Sequence, residues 1–410
     1  MKQTKNYCGF IQYERYNFRP NKLKSMCKFN SCKILLLTLL IAYSLVSCTL
    51  QSNQEYNSDP ENIAPYKIIS LQLDSVTAPR TDYIQITEKH IAWLNASRNE
   101  IILYNKESSS LESKIIIPRQ GPNSLFPLRT FYIHNEDSIF ATNAFDKLAI
   151  FNRNGEIINE LELKQPSNVE LIPQVGPFTE NGLGVINGNV VMSGTILFSE
   201  KSNHIISYDL MNNHEVAVFG PPVVDDYKSK IFPTKYYFSS TSVSNDEIGI
   251  AFPPSAAIDF YSPIGKKLRS VNFHLPSLAE LPKPFSSREE MAKIPPSELQ
   301  TITSNQYHYS GLYYLEDHQL YVRLLTIPDS PSLSNNPGKN LFPEYIKDFY
   351  FIVADKDFKN IKAFIPPQGQ DYYFKRMIET DGDKLWIGRF VNEDQVDFHA
   401  FDIAKAFAGK

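Results

Sequence analysis

The stretch Arg119–Leu163, RQGPNSLFPLRTFYIHNEDSIFATNAFDKLAIFNRNGEIINELEL, admits few folds. It reads as four strands, roughly Thr130–His134, Ser138–Asn143, Lys147–Phe151 and Glu156–Leu163. The joins are Asn135-Glu136-Asp137, Ala144-Phe145-Asp146 and Arg153-Asn154-Gly155. Asn, Asp and Gly favour such turns because they bond their own main chain or tolerate left-handed backbone. A single small sheet of this kind leaves apolar faces open, so it must stack on copies of itself.

Copies are present. An aromatic residue followed by Asn or Asp closes the third strand at Tyr104-Asn105, Phe151-Asn152, Tyr208-Asp209 and Phe401-Asp402. Weaker forms stand at Tyr261-Ser262 and Ala354-Asp355. The steps are 47, 57, 53, 93 and 47 residues, most of them near the period of a propeller blade. Five steps make six units, so the expected fold is all-β, a six-bladed β-propeller spanning 66–405. The blades fall at about 82–117, 119–163, 183–219, 236–274, 307–365 and 372–403. Blade 3 contains Asn187-Gly188 between β-branched residues, a strong hairpin signal.

Blade 6 is one strand short, with only FKRMIET, KLWIGRF and VDFHAFDI. Tyr66–Leu73 (YKIISLQL) is a strand without a partner of its own. Placed beside Val396–Ile403 it would close the ring and remove exposed edges. The long step holds a small helical insertion between blades 4 and 5. Ser287 and Glu290 form a capping-box pattern, Pro295-Pro296 stops that helix, and Ser297–Thr303 suggests another turn. Pro328–Asn340 reads as a long surface loop.

The N-terminus carries a different message. Ile34–Val46 is apolar but too short for a span of ~20 residues. Lys28 and Lys33 precede it, and it ends in Leu45-Val46-Ser47-Cys48, resembling a bacterial lipobox. Residues 1–47 therefore read as a signal peptide and Cys48 as the lipidated first residue of the mature chain. Met26 could itself start a complete signal peptide, leaving 1–25 either upstream of the true start or a long n-region. Residues 48–65 read as the lipidated cysteine and a flexible tether. The other cysteines, Cys8, Cys27 and Cys32, leave with the signal, so the mature chain has no disulfide and no Cys-based zinc site. Removal of 1–47 leaves 33 basic and 44 acidic residues. That balance speaks against a nucleic-acid partner.

The segment RQGPNSLFPLRTFYIHNEDSIFATNAFDKLAIFNRNGEII resembles the blade signature of six-bladed propeller lipoproteins of Bacteroidota-type bacteria. That signature is roughly G-x-G-P-G-E-[FY], then two strands around a polar turn, then [IL]-x-[VIK]-[FY]-[DN]-x-x-G-[KE]. Gly121, Pro122, Ile150–Asn152 and Gly155 match it, whereas Arg119, Asn123 and Ser124 depart from it. Weaker echoes are Gly220-Pro221 and Gln368-Gly369. The resemblance implies the fold and an envelope location, and it implies no reaction.

Chemical motifs are sparse. There is no G-x-S-x-G, no H-E-x-x-H and no P-loop. The eight histidines form no metal-spaced pair on one helix. Asp355-x-Asp357 and Asp381-Gly382-Asp383 lack the distal Glu of a calcium loop and read as turns. Trp93 and Trp386 sit in second strands, where packing between blades is the expected role. Asn95, Asn143 and Arg389 end or approach the ends of second strands, Arg119 and Arg129 flank the entry to blade 2, and Arg323 lies in blade 5. Such a ring suits a carboxylate or sugar, but the same groups could instead satisfy loop carbonyls. The expectation is a non-catalytic binding or scaffold lipoprotein without cofactor or catalytic residue. It would sit on the outer membrane facing the periplasm, with a small molecule, glycan or protein as ligand. The alternative is a metal-dependent propeller hydrolase or lactonase, for which Asn143 and Asp146 are the visible ligands.

Overall fold

A computed structural model describes residues 59–143, 147–162, 183–193, 205–209, 212, 214–220, 231–233, 236, 239–244, 246–275, 280–328, 338, 341 and 346–409. The signal segment, Cys48 and the tether to residue 58 lie outside these, as do Asp146 and most of the Pro328–Asn340 loop.

The chain begins with β1 (Glu61–Asn62) and β2 (Lys67–Gln72). Blade 1 is β3 (Ile84–Ile86), β4 (His90–Asn95), β5 (Glu100–Asn105) and β6 (Leu111–Ile116). Blade 2 is β7 (Leu128–Asn135), β8 (Ser138–Asn143), β9 (Lys147–Phe151) and β10 (Ile157–Glu162). Blade 3 is β11 (Leu183–Ile186), β12 (Asn189–Ser193), β13 (Ile205–Asp209) and β14 (His214–Phe219). Blade 4 is β15 (Ser240–Val243), β16 (Ile248–Ala251), β17 (Ala257–Tyr261) and β18 (Lys267–Asn272). Blade 5 is β19 (His308–Leu315), β20 (Leu320–Thr326), β21 (Phe349–Asp355) and β22 (Ile361–Ile365). Blade 6 contributes β23 (Ile378–Asp381), β24 (Lys384–Asn392) and β25 (Gln395–Phe401). The six sheets form a six-bladed propeller, with the first strand of each blade innermost.

All six repeat echoes fall at the end of a third strand. Their physical logic is visible. The aromatic or Ala residue is buried in the blade interface. The polar residue builds the next turn by accepting main-chain N–H groups. Asn105 Oδ1 accepts from Glu107 and Ser108, Asn152 Oδ1 from Asn154 and Glu156, and Asp355 Oδ1 from Lys359. Ser262 does the same for Lys266 through its hydroxyl. Self-bonding of this kind is why short polar side chains recur there. Asp355 and Asp381-Gly382-Asp383 are accordingly turn residues, with Asp381 paired to Lys106 at 2.5 Å and Asp383 to Lys384 at 2.7 Å.

The ring closes through β2. It lies antiparallel outside β25, with Lys67 opposite Ala400, Ile69 opposite Phe398 and Leu71 opposite Val396. Alternation decides the orientation: Ile69 and Leu71 are buried, whereas Ile68, Ser70 and Gln72 face out. One correction concerns the tether. Its polar composition predicts a free run to Pro65, but β1 pairs in parallel with β22, and Ile63 N–H donates to Ile365 O at 3.0 Å. The buried Ile63 side chain joins the cluster between blades 5 and 6. Polar Glu61-Asn62 gives no periodic signal, so this backbone docking has no visible mark in the sequence.

Six buried clusters among the described residues correspond to the six interfaces between neighbouring blades. Trp93 and Trp386 share the cluster between blades 6 and 1 with Ile69 and Leu71, so they pack rather than face a ligand. In the insertion, α1 (Arg288–Ala292) is capped by Ser287, whose hydroxyl accepts from Glu290 N. Glu290 reaches back to Ser286 N at 2.8 Å, one residue earlier than the capping-box rule places it. Pro296 opens α2 (Pro296–Ser304) at its first turn.

Candidate functional site

Alternating strand direction sorts every connection to one of two faces. Turns between first and second, and third and fourth strands, share one face and are two to five residues long. Crossings between blades share the other face with the second-to-third connections. Among the described residues these include 117–127 and 366–377. The long-loop face is pinned where it is described. Asn99 adopts left-handed backbone (φ 61°), and its Nδ2 donates to Ile117 O at 2.8 Å and Leu125 O at 2.9 Å. Its Oδ1 accepts from Leu128 N at 2.8 Å, so one side chain fixes the entry loop of blade 2.

Most of the ligand candidates read from the sequence are engaged in holding the fold. Buried Asn95 donates to Glu100 Oε1 at 3.0 Å and accepts from Ser97 Oγ at 2.8 Å. Asn143 Oδ1 accepts from Lys147 N at 3.0 Å, closing its own turn. Arg119 donates to Ser97 O and lies 5.2 Å from the Phe126 ring centre. Arg323 is 1% exposed and ties blade 5 to blade 4. Its guanidinium donates to Ser255 O at 2.9 Å and Phe252 O at 3.1 Å, and stacks 4.0 Å from the Tyr309 ring centre. Arg389 Nε donates to Gln370 O at 2.9 Å, and Nη1 lies 3.4 Å from Asp397 Oδ2. Of these five, Asn95 and Arg119 meet at Ser97, and the other three bond separate groups. Arg129 differs: it sits at the bulge between Leu128 and Thr130 on the inner strand β7, with its Nε buried and without a hydrogen-bond partner.

The channel wall holds a group that no sequence motif marks. Glu379 lies on β23, the innermost strand of blade 6. It lies opposite Trp386 of β24 and keeps some accessible surface. Burial pushes its carboxyl up to about 7, against the pull of the Thr380 N–H and hydroxyl, at 2.9 and 3.4 Å from Oε1. Its charge reaches the phenols of Tyr83, just before β3, and Tyr132 on β7; both are raised first by burial and then by Glu379. The one available signal is an acid inside an inner strand, between Ile378 and Thr380. Elsewhere on the wall, Gln85 bonds both main-chain groups of Ile133, at 3.0 and 2.6 Å, stapling blades 1 and 2.

Among the described residues no three His, Cys, Asp or Glu side chains are grouped to hold a metal ion. Nor is any described helix long and apolar enough to cross a membrane.

A crystal structure of a DUF4221 family member from Bacteroides vulgatus is similar over 84% of this chain and 99% of that one, at 17% identity and a TM-score of 0.64. A Bacteroides fragilis protein aligns over 82% of this chain and 93% of its own, at 14% identity and a TM-score of 0.46. Streptogramin B lyase aligns over 82% and 97%, at 12% identity and a TM-score of 0.41. Only the first of these exceeds 0.5, and at its identity it shows a shared fold. No curated protein sequence matches the chain. The model of one family matches residues 43–362, most of the chain, so the chain belongs to the family described as a domain of unknown function, DUF4221.

Proposed function

We propose that this chain is an envelope-anchored lipoprotein whose propeller is a non-catalytic binding or scaffold module, held by Cys48 on the outer membrane and facing the periplasm. The observation that carries anchoring is the apolar run Ile34–Val46 ending in Leu45-Val46-Ser47-Cys48. Several acyl chains at ~0.8 kcal/mol per buried CH₂ would hold a soluble ring firmly at a bilayer. A binding role is supported by the unequal faces. A rigid ring with all its long connections on one side is the usual arrangement for a recognition surface. The acidic mature chain speaks against nucleic acid as the partner. Labelling with an alkyne fatty acid tests the anchor. The wild-type chain should take up label and sediment with membranes, and Cys48→Ser should do neither. Equal labelling of the two would overturn the reading.

A further inference from the structure

We propose that the long-loop mouth of the channel binds an oxyanion, a carboxylate or phosphate group carried by a small ligand, with the Arg129 guanidinium as its fork. This deepens the reading of the propeller as a binding module and rests on it.

Arg129 is the extra residue of a bulge on β7, where Leu128 stands opposite Asn143 and Thr130 opposite Thr142. A bulge re-aims a side chain out of the regular alternation. Leu128 and Thr130 are buried, and Arg129 between them keeps part of its surface. Its Nε is enclosed without an acceptor, and among the described residues no carboxylate pairs with it. By contrast Arg323 is held by two carbonyls, and Arg389 by Gln370 O and Asp397. A guanidinium cannot answer burial by shedding its proton, so only an acceptor offsets the loss of water around it.

The neighbouring inner strand sets the surroundings. Gln85 on β3 bonds both main-chain groups of Ile133 on β7, so the two strands lie one side chain apart. Two residues earlier on each strand, the Tyr83 and Phe131 rings meet with 5.2 Å between centres. Counting back two more brings Arg129 level with Thr81 and Asp82. Asp82 Oδ1 is already shared by Arg376 Nη1 and by Arg80 Nη2, the latter at 3.5 Å. This end of the wall thus sets three arginines against one carboxylate. Glu379 stands on another strand, opposite Trp386. The far mouth has the reverse sign. There the turns between first and second strands carry Glu88, Glu136, Asp137, Asp246, Glu316 and Asp317 against Lys89 and His318. A channel with unlike mouths draws an anion to the basic one. The planar fork of an arginine matches a carboxylate or phosphate in pairs of hydrogen bonds.

Succinate and inorganic phosphate are the probes, each titrated calorimetrically into the full chain in non-ionic detergent micelles at pH 8 and constant ionic strength. Saturable binding of at least one is expected, succinate reporting a carboxylate site and phosphate a phosphate site. Arg129→Gln should weaken it about tenfold or more, the worth of a charge-assisted hydrogen bond. Arg129→Lys, which keeps the charge and loses the fork, should lie between the two. Lys356→Gln, at a turn on the opposite face, should bind like the wild type. Because the Arg129 guanidinium holds no group of the described fold, Arg129→Gln should also keep the wild-type thermal midpoint. No saturable binding by either probe, equal binding by Arg129→Gln, or a lowered midpoint in that variant would overturn the proposal. Equal binding of uncharged succinamide would overturn it as well, a comparison made on the wild-type chain alone. Binding that ignores Arg129 would remove this site while leaving a binding propeller in place. Failure of the Cys48→Ser test would leave the channel result untouched.

Discussion

Blades 2 and 6 have the same four-stranded antiparallel order, but only one of them is written in a single stretch of chain. In both, the third strand ends in an aromatic residue and an amide or acid, Phe151-Asn152 and Phe401-Asp402. Beyond that pair the two blades part. Asn152 gathers the N–H groups of Asn154 and Glu156, and Gly155 turns the chain with φ 78°. A side chain there would also meet Ile116 O at 2.5 Å, so glycine is required twice over. Asp402 instead accepts from Lys405 N and caps α3 (Ile403–Phe407), because Ile-Ala-Lys-Ala-Phe can propagate a helix. The same local device thus starts a turn in one blade and a helix in the other. The closing blade must then import its outer strand from the far end of the chain.

The largest expected effect separates the imported strand from the rest. Deleting 61–73 removes Ile63, Ile69, Leu71 and Leu73 from buried positions. At about 1.5–3 kcal/mol for each, the loss approaches the whole stability of a typical domain. Size-exclusion chromatography should show aggregation and the cooperative thermal transition should vanish, whereas deleting 49–58 should leave the midpoint unchanged. A smaller cut compares single positions. Leu71→Ala in β2 should cost about 2–5 kcal/mol by urea unfolding. Leu161→Ala, on the half-exposed outer strand of blade 2, should cost about 1 kcal/mol. Equal costs would mean that the imported strand is held no differently from a native one.

Acid should find the closing blade first. His399, opposite Ile68 and Ile387, is buried with Nδ1 2.7 Å from the Tyr372 hydroxyl. Burial, helped by Arg389, lowers its pKa to about 4. The unfolded chain then takes up a proton that the folded chain refuses. Stability is complete above pH 6.5 and falls as pH drops toward 4, by about 2–3 kcal/mol at most. Glu379 in the same blade has the opposite slope. Its raised carboxyl stabilises the folded state below about pH 4.5 and loses that advantage as pH rises through about 7. Unfolding of the wild-type chain and His399→Gln between pH 7 and 5 should separate the two; identical slopes would assign no role to His399. The smallest effects belong to the polar residues of the repeat: Asp402→Ala and Asn152→Ala should each cost about 1 kcal/mol or less, measured by the same unfolding.

The fold is legible in the sequence because its repeat has a chemical cause. A buried residue, a ring in five of the six, followed by a turn-building oxygen recurs at each third strand, and even Tyr261-Ser262 and Ala354-Asp355 keep the buried-then-polar order. The closing strand is legible by subtraction, since one blade lacks a strand and one strand lacks a blade. The candidate site is not legible in the same way. Arg323 looks like a ligand group by type alone, but its partners are carbonyls about 70 residues away, in another blade, which leave no mark in the sequence. Glu379 is hidden for the converse reason: its position on an inner strand is readable, but its want of a basic partner depends on how six strands converge.

Closure by β2 also sets an order in time. Lys67–Gln72 is synthesised before the strands of blades 1 to 5, and its partner Gln395–Phe401 after all of them. Such a long sequence separation makes the pairing slow to find. Until the C-terminus is made, an apolar-faced strand and the open edge of blade 6 both wait for each other. Any chain ending before residue 395 can stack five blades yet never complete the sixth, and it carries two adhesive edges where the finished molecule has none at its seam.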